Sequence, residues 1–176
     1  MSLKVLADVK NFLGKLKTVF RPPMQQMGLL DILEARVYDK DGNLKDMRRV
    51  VDLVVNAGLA EVAALLLADV SGTAFDYVAI GTGTTDPSVN DTALENETHR
   101  VAATGSRVTT NVTNDTAQLV ATFSGYSGQE AVTEAGVFNA SSGGTMLCRQ
   151  TFSALNVDWD AGDSIEITEK IVCQGA

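Results

Sequence analysis

The chain has 176 residues, of which 45% are hydrophobic and 20% charged, and this length fits one packed domain with an appendage. Its 14 basic and 22 acidic residues give a formal charge of −8, which disfavours binding of DNA or RNA through phosphate neutralisation. The charge is uneven, because residues 1–50 hold ten basic and six acidic groups, a net +4 that leaves −12 for residues 51–176. We therefore expect the basic part to bind an acidic surface, on another copy or on a different partner.

The sequence also predicts where the chain is made. It contains no run of about 18 apolar residues, so we predict no membrane-spanning segment and no membrane partner. Residues 1–30 lack the continuous apolar core and small-residue cleavage site of a secretion signal, which predicts synthesis in the cytoplasm.

The first segment, residues 1–23, is predicted to be a basic amphipathic arm. Its apolar residues recur at steps of three and four from Val5 to Phe20, as in an amphipathic helix, and Pro22 and Pro23 end the pattern. The apolar stripe would be covered by a membrane surface, by the body of the same chain or by a neighbouring subunit, and the acidic body favours the last. The candidate partner-binding residues are Val9, Phe12, Leu13, Leu16 and Phe20, with Lys10, Lys15 and Lys17 beside them.

The second segment, residues 24–70, is predicted to be a β-hairpin followed by a helix. Polar and apolar residues alternate in 32–38 and 44–50, and the Asp41-Gly42 pair between them is typical of a hairpin turn. This hairpin either extends a sheet or stands apart. The helix is predicted from Asn56, as its cap, to about Ala68. Its predicted buried stripe is Leu59, Val62, Ala63, Leu66 and Leu67.

The third segment, residues 71–176, is predicted to be an antiparallel β-sandwich, which makes the whole chain mainly β. Short runs rich in threonine and valine alternate with turn-forming clusters, as in a two-layer sandwich. The predicted strands are Phe75–Gly81, Arg100–Asn111, Ala117–Gly125, Ala131–Phe138, Thr145–Phe152 and Ser164–Cys173.

Few residues in this body suggest chemistry. The glycines of Gly81-Thr82-Gly83 are not followed by the Lys-Ser/Thr pair of a phosphate-binding loop, so a turn is predicted. A hydrolase would need Glu95, Glu97 or His99 in a cleft, whereas their polar neighbourhood predicts a solvated surface. The acidic residues of 158–163 favour a plain turn with Trp159 packed on the sandwich over a calcium loop. We predict no catalytic residue, cofactor or metal ion.

Two cysteines, Cys148 and Cys173, are too few and too far apart for a zinc site built from paired ligands. They are expected to be ordinary buried thiols. The alternative is a disulfide, within the chain or as a cross-link to a neighbouring copy, in an oxidising environment.

Several strings occur in a fixed order across about residues 50–172. They are VVNAGL (54–59), FDYVAIGTGTT (75–85), DTALENE (91–97), TEAGVFNA (133–140) and GGTMLCRQTF (143–152). In this order the chain resembles a group of small structural proteins of tailed-bacteriophage particles, described as tail-fibre-like or decoration proteins.

The resemblance implies a non-catalytic virion component, made in the host cytoplasm and assembled in several copies with capsid, neck or tail subunits. It also gives the motif residues structural roles: Gly81, Gly83 and Gly136 permit turns or close strand approach, and Thr92 with Glu95 resembles a capping box.

Two departures from a fibre favour an accessory subunit that decorates or links subunits on the particle exterior. The chain has no repeated shaft, and it carries the basic arm. The alternatives are a tail-fibre or baseplate attachment protein and a carbohydrate-binding adhesion module. The 6% aromatic content, with one tryptophan, argues against the adhesion module.

Overall fold

The computed structural model describes residues 27–67 and 72–175, which contain nine β-strands and one α-helix. The arm predicted for residues 1–23 lies outside these residues. The elements are β1 (Met27–Tyr38), β2 (Leu44–Val54), α1 (Asn56–Leu65), β3 (Tyr77–Gly81), β4 (Glu97–Ala102), β5 (Thr104–Val108), β6 (Thr116–Phe123), β7 (Gln129–Phe138), β8 (Met146–Asp158) and β9 (Ser164–Gly175).

The strands form one nearly closed antiparallel sheet in the order β4-β3-β7-β8-β2-β1-β9-β6-β5. The prediction of a mainly β, antiparallel fold is therefore confirmed. The single strand predicted over Arg100–Asn111 is wrong, because β4 and β5 lie at opposite edges of the sheet. Ala103 alone separates them, and its N–H donates to the Asp76 carbonyl at 2.8 Å, next to the Tyr77–Ala102 pair of β3 and β4, before the chain crosses to pair with β6.

The predicted hairpin is formed by β1 and β2, with Asp31 opposite Asp52 near the open end. Its turn is fixed by the Asp39 carboxylate, which accepts hydrogen bonds from the N–H groups of Asp41 and Asn43 at 2.9 Å. Gly42 has φ +82°, a conformation that glycine adopts without steric cost. Because β2 also pairs with β8, the hairpin extends the sheet and belongs to the same compact unit, Leu29–Gln174, as the later strands.

The core lies inside this nearly closed sheet. Alternate residues of each strand face inward, since successive side chains of a strand point to opposite faces. In β1 the buried apolar residues are Leu33, Ala35 and Val37, and in β9 they are Ile165 and Ile167. The same alternation places the carboxylates of Asp31 and Glu169 on the inner face.

Helix α1 is confirmed, but its predicted cap and buried stripe are wrong. Val55 occupies the N-cap position, and the Asn56 side chain instead donates to Asn90 Oδ1 at 3.1 Å. The buried contact of the helix is Gly58, where a Cβ atom would lie 2.4 Å from the Leu147 carbonyl oxygen. This close backbone approach turns the predicted stripe outward, so that Val62 is half-buried and the other members are exposed: Leu59, Ala63, Leu66 and Leu67.

Candidate functional site

An apolar groove of about 250 Å³ lies beside α1. Its lining includes Val62 and Leu65 from the helix, together with Phe75, Leu147 and Ile171 from the sheet side. We use the name α1 surface for this groove together with the exposed leucines of α1, Leu59 and Leu65, and those that directly follow the helix, Leu66 and Leu67. Leu66 is 72% exposed and Leu59 is 49% exposed, so the α1 surface presents apolar area to solvent. Several exposed large apolar side chains beside an apolar groove are typical of an interaction site.

The candidate partner-binding residues of the arm are not among the residues that the structure describes. Their role as a docking stripe stays a prediction. These residues are Val9, Lys10, Phe12, Leu13, Lys15, Leu16, Lys17 and Phe20.

The motif strings meet at the carboxylate of Glu134 in β7, which is completely buried. Its Oε1 accepts hydrogen bonds from the N–H groups of Gly83 at 3.0 Å and Asn96 at 2.7 Å. Its Oε2 accepts hydrogen bonds from the Glu95 N–H at 3.1 Å and from Arg149 Nε at 2.9 Å. One buried carboxylate thus fastens the loop between β3 and β4 to the sheet.

Arg149 completes this network from β8. Its guanidinium also donates to Asp91 Oδ2 at 2.9 Å and to the Thr85 carbonyl at 3.1 Å. Because Arg149 and Glu134 satisfy each other and the surrounding loop, a structural role accounts for both residues. Sequence reasoning did not single them out, although each is a charged residue in an apolar strand.

The glycines of the motif are explained by the same network. A Cβ on Gly83 would lie 2.4 Å from Glu134 Oε1, and a Cβ on Gly81 would lie 2.3 Å from the Asn96 carbonyl oxygen. At Gly136 the clash would be with the Cys148 carbonyl at 2.7 Å. The predicted close strand approach at these glycines is therefore confirmed.

The predicted capping box between Thr92 and Glu95 is wrong. The Glu95 carboxylate accepts hydrogen bonds from the N–H groups of Thr84 at 2.7 Å and Thr85 at 2.8 Å. These donors, with the Thr85 hydroxyl, lower the pKa of Glu95. The Glu95 carboxylate therefore bonds to the loop that follows β3 and not to Thr92.

Glu97 and His99, the other acid/base candidates, are also held in structural contacts. The exposed Glu97 pairs with Arg100 at 2.6 Å. The prediction of a solvated His99 is wrong, because its ring stacks on Tyr126 with centroids 3.6 Å apart and its Nε2 lies 3.2 Å from Glu130 Oε2.

Trp159 packs at the edge of the core, as predicted. It is only 5% exposed, and its indole N–H donates to Glu130 Oε2 at 3.2 Å. The turn is internally bonded, since Asp158 Oδ1 accepts the Ala161 N–H at 3.1 Å and the Asp158 N–H donates to Asp163 Oδ2 at 3.0 Å. Asp163 also pairs with Lys45 of β2. Because the indole face is covered, Trp159 offers no open stacking surface for a sugar.

Both cysteines are free thiols. Cys148 in β8 is completely buried, which agrees with the expectation of a buried thiol. Cys173 in β9 is exposed, so the same expectation is wrong for Cys173. A cross-link to a neighbouring copy stays a prediction, and exposure favours Cys173 over Cys148 for it.

The buried thiol adjoins a group of buried acids. The ligand atoms of Asp31, Asp52 and Cys148 all lie within 4.8 Å of one another, and Glu169 neighbours Asp31. Burial raises the pKa of Asp31 to about 6. Burial and the neighbouring carboxylates raise the pKa values of Asp52 and Glu169 well above their usual range, and burial also raises that of the Cys148 thiol. Among the described residues, this is the group whose donor atoms are spaced to hold a metal ion.

No protein-family model, curated protein or solved structure matches this chain. In the described part of the chain, no helix has the length and apolar character needed to cross a membrane. The function proposed below therefore depends on the residues of this chain and on the resemblance of its motifs.

Proposed function

We propose that this protein is a non-catalytic structural subunit of a tailed-bacteriophage particle, which decorates or links other subunits on the outside of the capsid, neck or tail. The observation that carries the proposal is the α1 surface, where an apolar groove lies beside exposed leucines. A protein that presents such a surface gains stability when a partner covers it.

The energy available at this surface is substantial. Complete burial of one leucine side chain is worth about 1.5–3 kcal/mol, and the α1 surface offers four partly exposed leucines. Ordering and association offset much of this gain, so one docking event would be weak. Repetition around a symmetric particle multiplies it, and each bound copy then makes neighbouring subunits harder to separate.

In this proposal the α1 surface receives the amino-terminal arm of a neighbouring copy. Residues 1–23 carry five basic groups and one acidic group, whereas the rest of the chain is acidic. Glu61 and the exposed Asp76 stand next in sequence to the groove residues Val62 and Phe75. An apolar stripe with lysines beside it is complementary to an apolar groove on an acidic chain.

The motif network supports a structural role in place of a catalytic one. Glu134 and Arg149 are the charged residues at the centre of the motif strings, and their polar atoms bond to each other and to the loop between β3 and β4. The nearly closed sheet would serve as the rigid body of the subunit, with opposite walls packed as the two layers of a sandwich.

The proposal is tested by incorporation into particles. We expect deletion of residues 1–22 to leave a body that melts cooperatively but no longer joins purified particles. We expect Leu66→Glu to have the same effect, because it places a charge on the α1 surface. Leu44→Glu is the matched control, since Leu44 is 50% exposed at the start of β2. Incorporation of the truncated chain at the wild-type level would refute the proposal.

A further inference from the structure

We propose that Asp31, Asp52 and Cys148 form a buried site for a divalent transition-metal ion, best matched by Zn²⁺, beside the buried Glu169. This site goes beyond the proposed assembly function and does not depend on it. It lies within the sheet, whereas the α1 surface is open to solvent.

The strand order brings these side chains together. They come from β8, β2, β1 and β9, which are four consecutive strands of the sheet. Asp31 lies directly opposite Asp52, and Cys148 lies opposite Val54, two residues along β2 from Asp52. Residues two apart on a strand share a face, so all three donor groups converge on the inner face.

The second observation is the lack of partners for these carboxylates. Both oxygens of Asp31, Oδ2 of Asp52 and both oxygens of Glu169 are buried, and none of them accepts a hydrogen bond of ordinary geometry from a described residue. The polar groups beside them are one another and the Cys148 thiol. Glu169 is completely enclosed, Asp31 is 1% exposed and Asp52 is 6% exposed. Buried carboxylates with no partner are costly, and two acids directly opposite on neighbouring strands repel each other.

Among the described residues, no cation forms an ion pair with Asp31 or Asp52. The positive charge of Arg149 lowers the pKa of Asp52 to some extent, but burial and Asp31 outweigh it, and the guanidinium donates its hydrogen bonds to Glu134 and Asp91. A bound divalent cation would neutralise two of the three negative charges on the two aspartates and the Cys148 thiolate. It would also give a partner to ligand oxygens of Asp31 and Asp52.

The donor set indicates the kind of metal. A thiolate with carboxylates suits Zn²⁺, whereas Ca²⁺ and Mg²⁺ prefer oxygen ligands alone. Tetrahedral Zn²⁺, with bonds of about 2.0–2.3 Å, places its ligand atoms roughly 3.3–3.8 Å apart. The three donor atoms, all within 4.8 Å of one another, reach this spacing through small side-chain movements. Glu169 lies outside this set of three donor groups.

The experiment uses the full chain, unfolded in chelator and refolded with or without metal, because the site is enclosed. With Co²⁺ as the probe, we expect a thiolate-to-metal charge-transfer band in the near ultraviolet. With Zn²⁺ at a free concentration about a hundred times its Kd, we expect the Tm to rise by about 5–10 °C. Cys148→Ser and Asp52→Asn should lose both effects, whereas the control Cys173→Ser should keep both.

A readout on the wild type makes the result independent of variant folding. X-ray absorption of the Zn²⁺-loaded chain should show one sulfur at about 2.3 Å and oxygens at about 2.0 Å. The assignment is overturned if the wild type gives neither the Co²⁺ band nor the Zn²⁺-dependent rise in Tm. It is also overturned if either effect persists in Cys148→Ser, or if the bound Zn²⁺ has no sulfur ligand.

Discussion

Replacing Glu134 with glutamine should disrupt the hydrogen bonds between the motif strings and so destabilise the protein. The carboxylate of Glu134 accepts four hydrogen bonds, three from backbone N–H groups and one from Arg149. A glutamine side chain keeps one acceptor oxygen and turns an NH₂ group toward two remaining donors. The substitution therefore removes the buried negative charge that pairs with Arg149 and leaves two of the four donors facing an NH₂ group, while Arg149 keeps its bonds to Asp91 and the Thr85 carbonyl.

The magnitude follows from the burial of the pair. Breaking a buried ion pair by removal of one partner costs about 3–5 kcal/mol. For a chain of this size, each 1 kcal/mol lowers the Tm by about 2–4 °C, so we expect Glu134→Gln to lower it by about 6–20 °C. That cost is a large fraction of the 5–15 kcal/mol by which domains are usually stable.

Urea denaturation followed by circular dichroism measures this loss. Glu166→Gln is the control, because Glu166 is partly exposed and pairs with Arg36 at 3.3 Å across solvent-accessible surface. An exposed pair of this kind is worth about 0–1 kcal/mol. The reasoning is refuted if Glu134→Gln and Glu166→Gln lower the free energy of unfolding equally.

Three further predictions concern the close backbone approach, the buried acids and the cysteines. Gly83→Ala should lower the Tm because its Cβ would clash with Glu134, whereas Gly105→Ala, whose Cβ would make an ordinary 3.7 Å contact, should leave the Tm within 1–2 °C of the wild type. In chelator, Asp52→Asn should be more stable than the wild type at pH 8. This advantage should shrink toward pH 4. The raised pKa of Asp52 means that the wild type loses stability as the pH rises and the carboxyl ionises. Equal urea midpoints of the two proteins at pH 8 would contradict this. On non-reducing gels of oxidised assemblies, any cross-linked dimer should disappear in Cys173→Ser and persist in Cys148→Ser, and a dimer that survives Cys173→Ser would count against the exposed thiol.

The strands could be predicted from local patterns, because alternation of apolar and polar residues reports which face is buried. The Asp41-Gly42 turn was equally local, since it depends on the conformation of one glycine. The break at Ala103 was not predictable in this way, because β4 and β5 have the same composition as one long strand. They are separate strands only because β4 pairs with β3 and β5 pairs with β6.

The outward leucines of α1 show a second limit. Their helical spacing predicted a buried stripe, but Gly58 decides which side of the helix meets the sheet. Because glycine has no side chain, it adds nothing to the pattern of apolar residues. The spacing of the leucines therefore predicted the wrong buried face of the helix. The strand pattern of β1 did contain a usable signal, because Asp31 shares its face with the buried Leu33 and Ala35. That Asp52 and Cys148 lie beside Asp31 could not be predicted in this way, because it depends on the register between strands.

Electron cryomicroscopy of purified particles tests the proposed structural role most directly. The account predicts a nine-stranded body repeated by symmetry on the particle exterior, with α1 covered by a neighbouring subunit. Particles that contain no such body, or that carry it with the α1 surface open to solvent in every copy, would contradict the account.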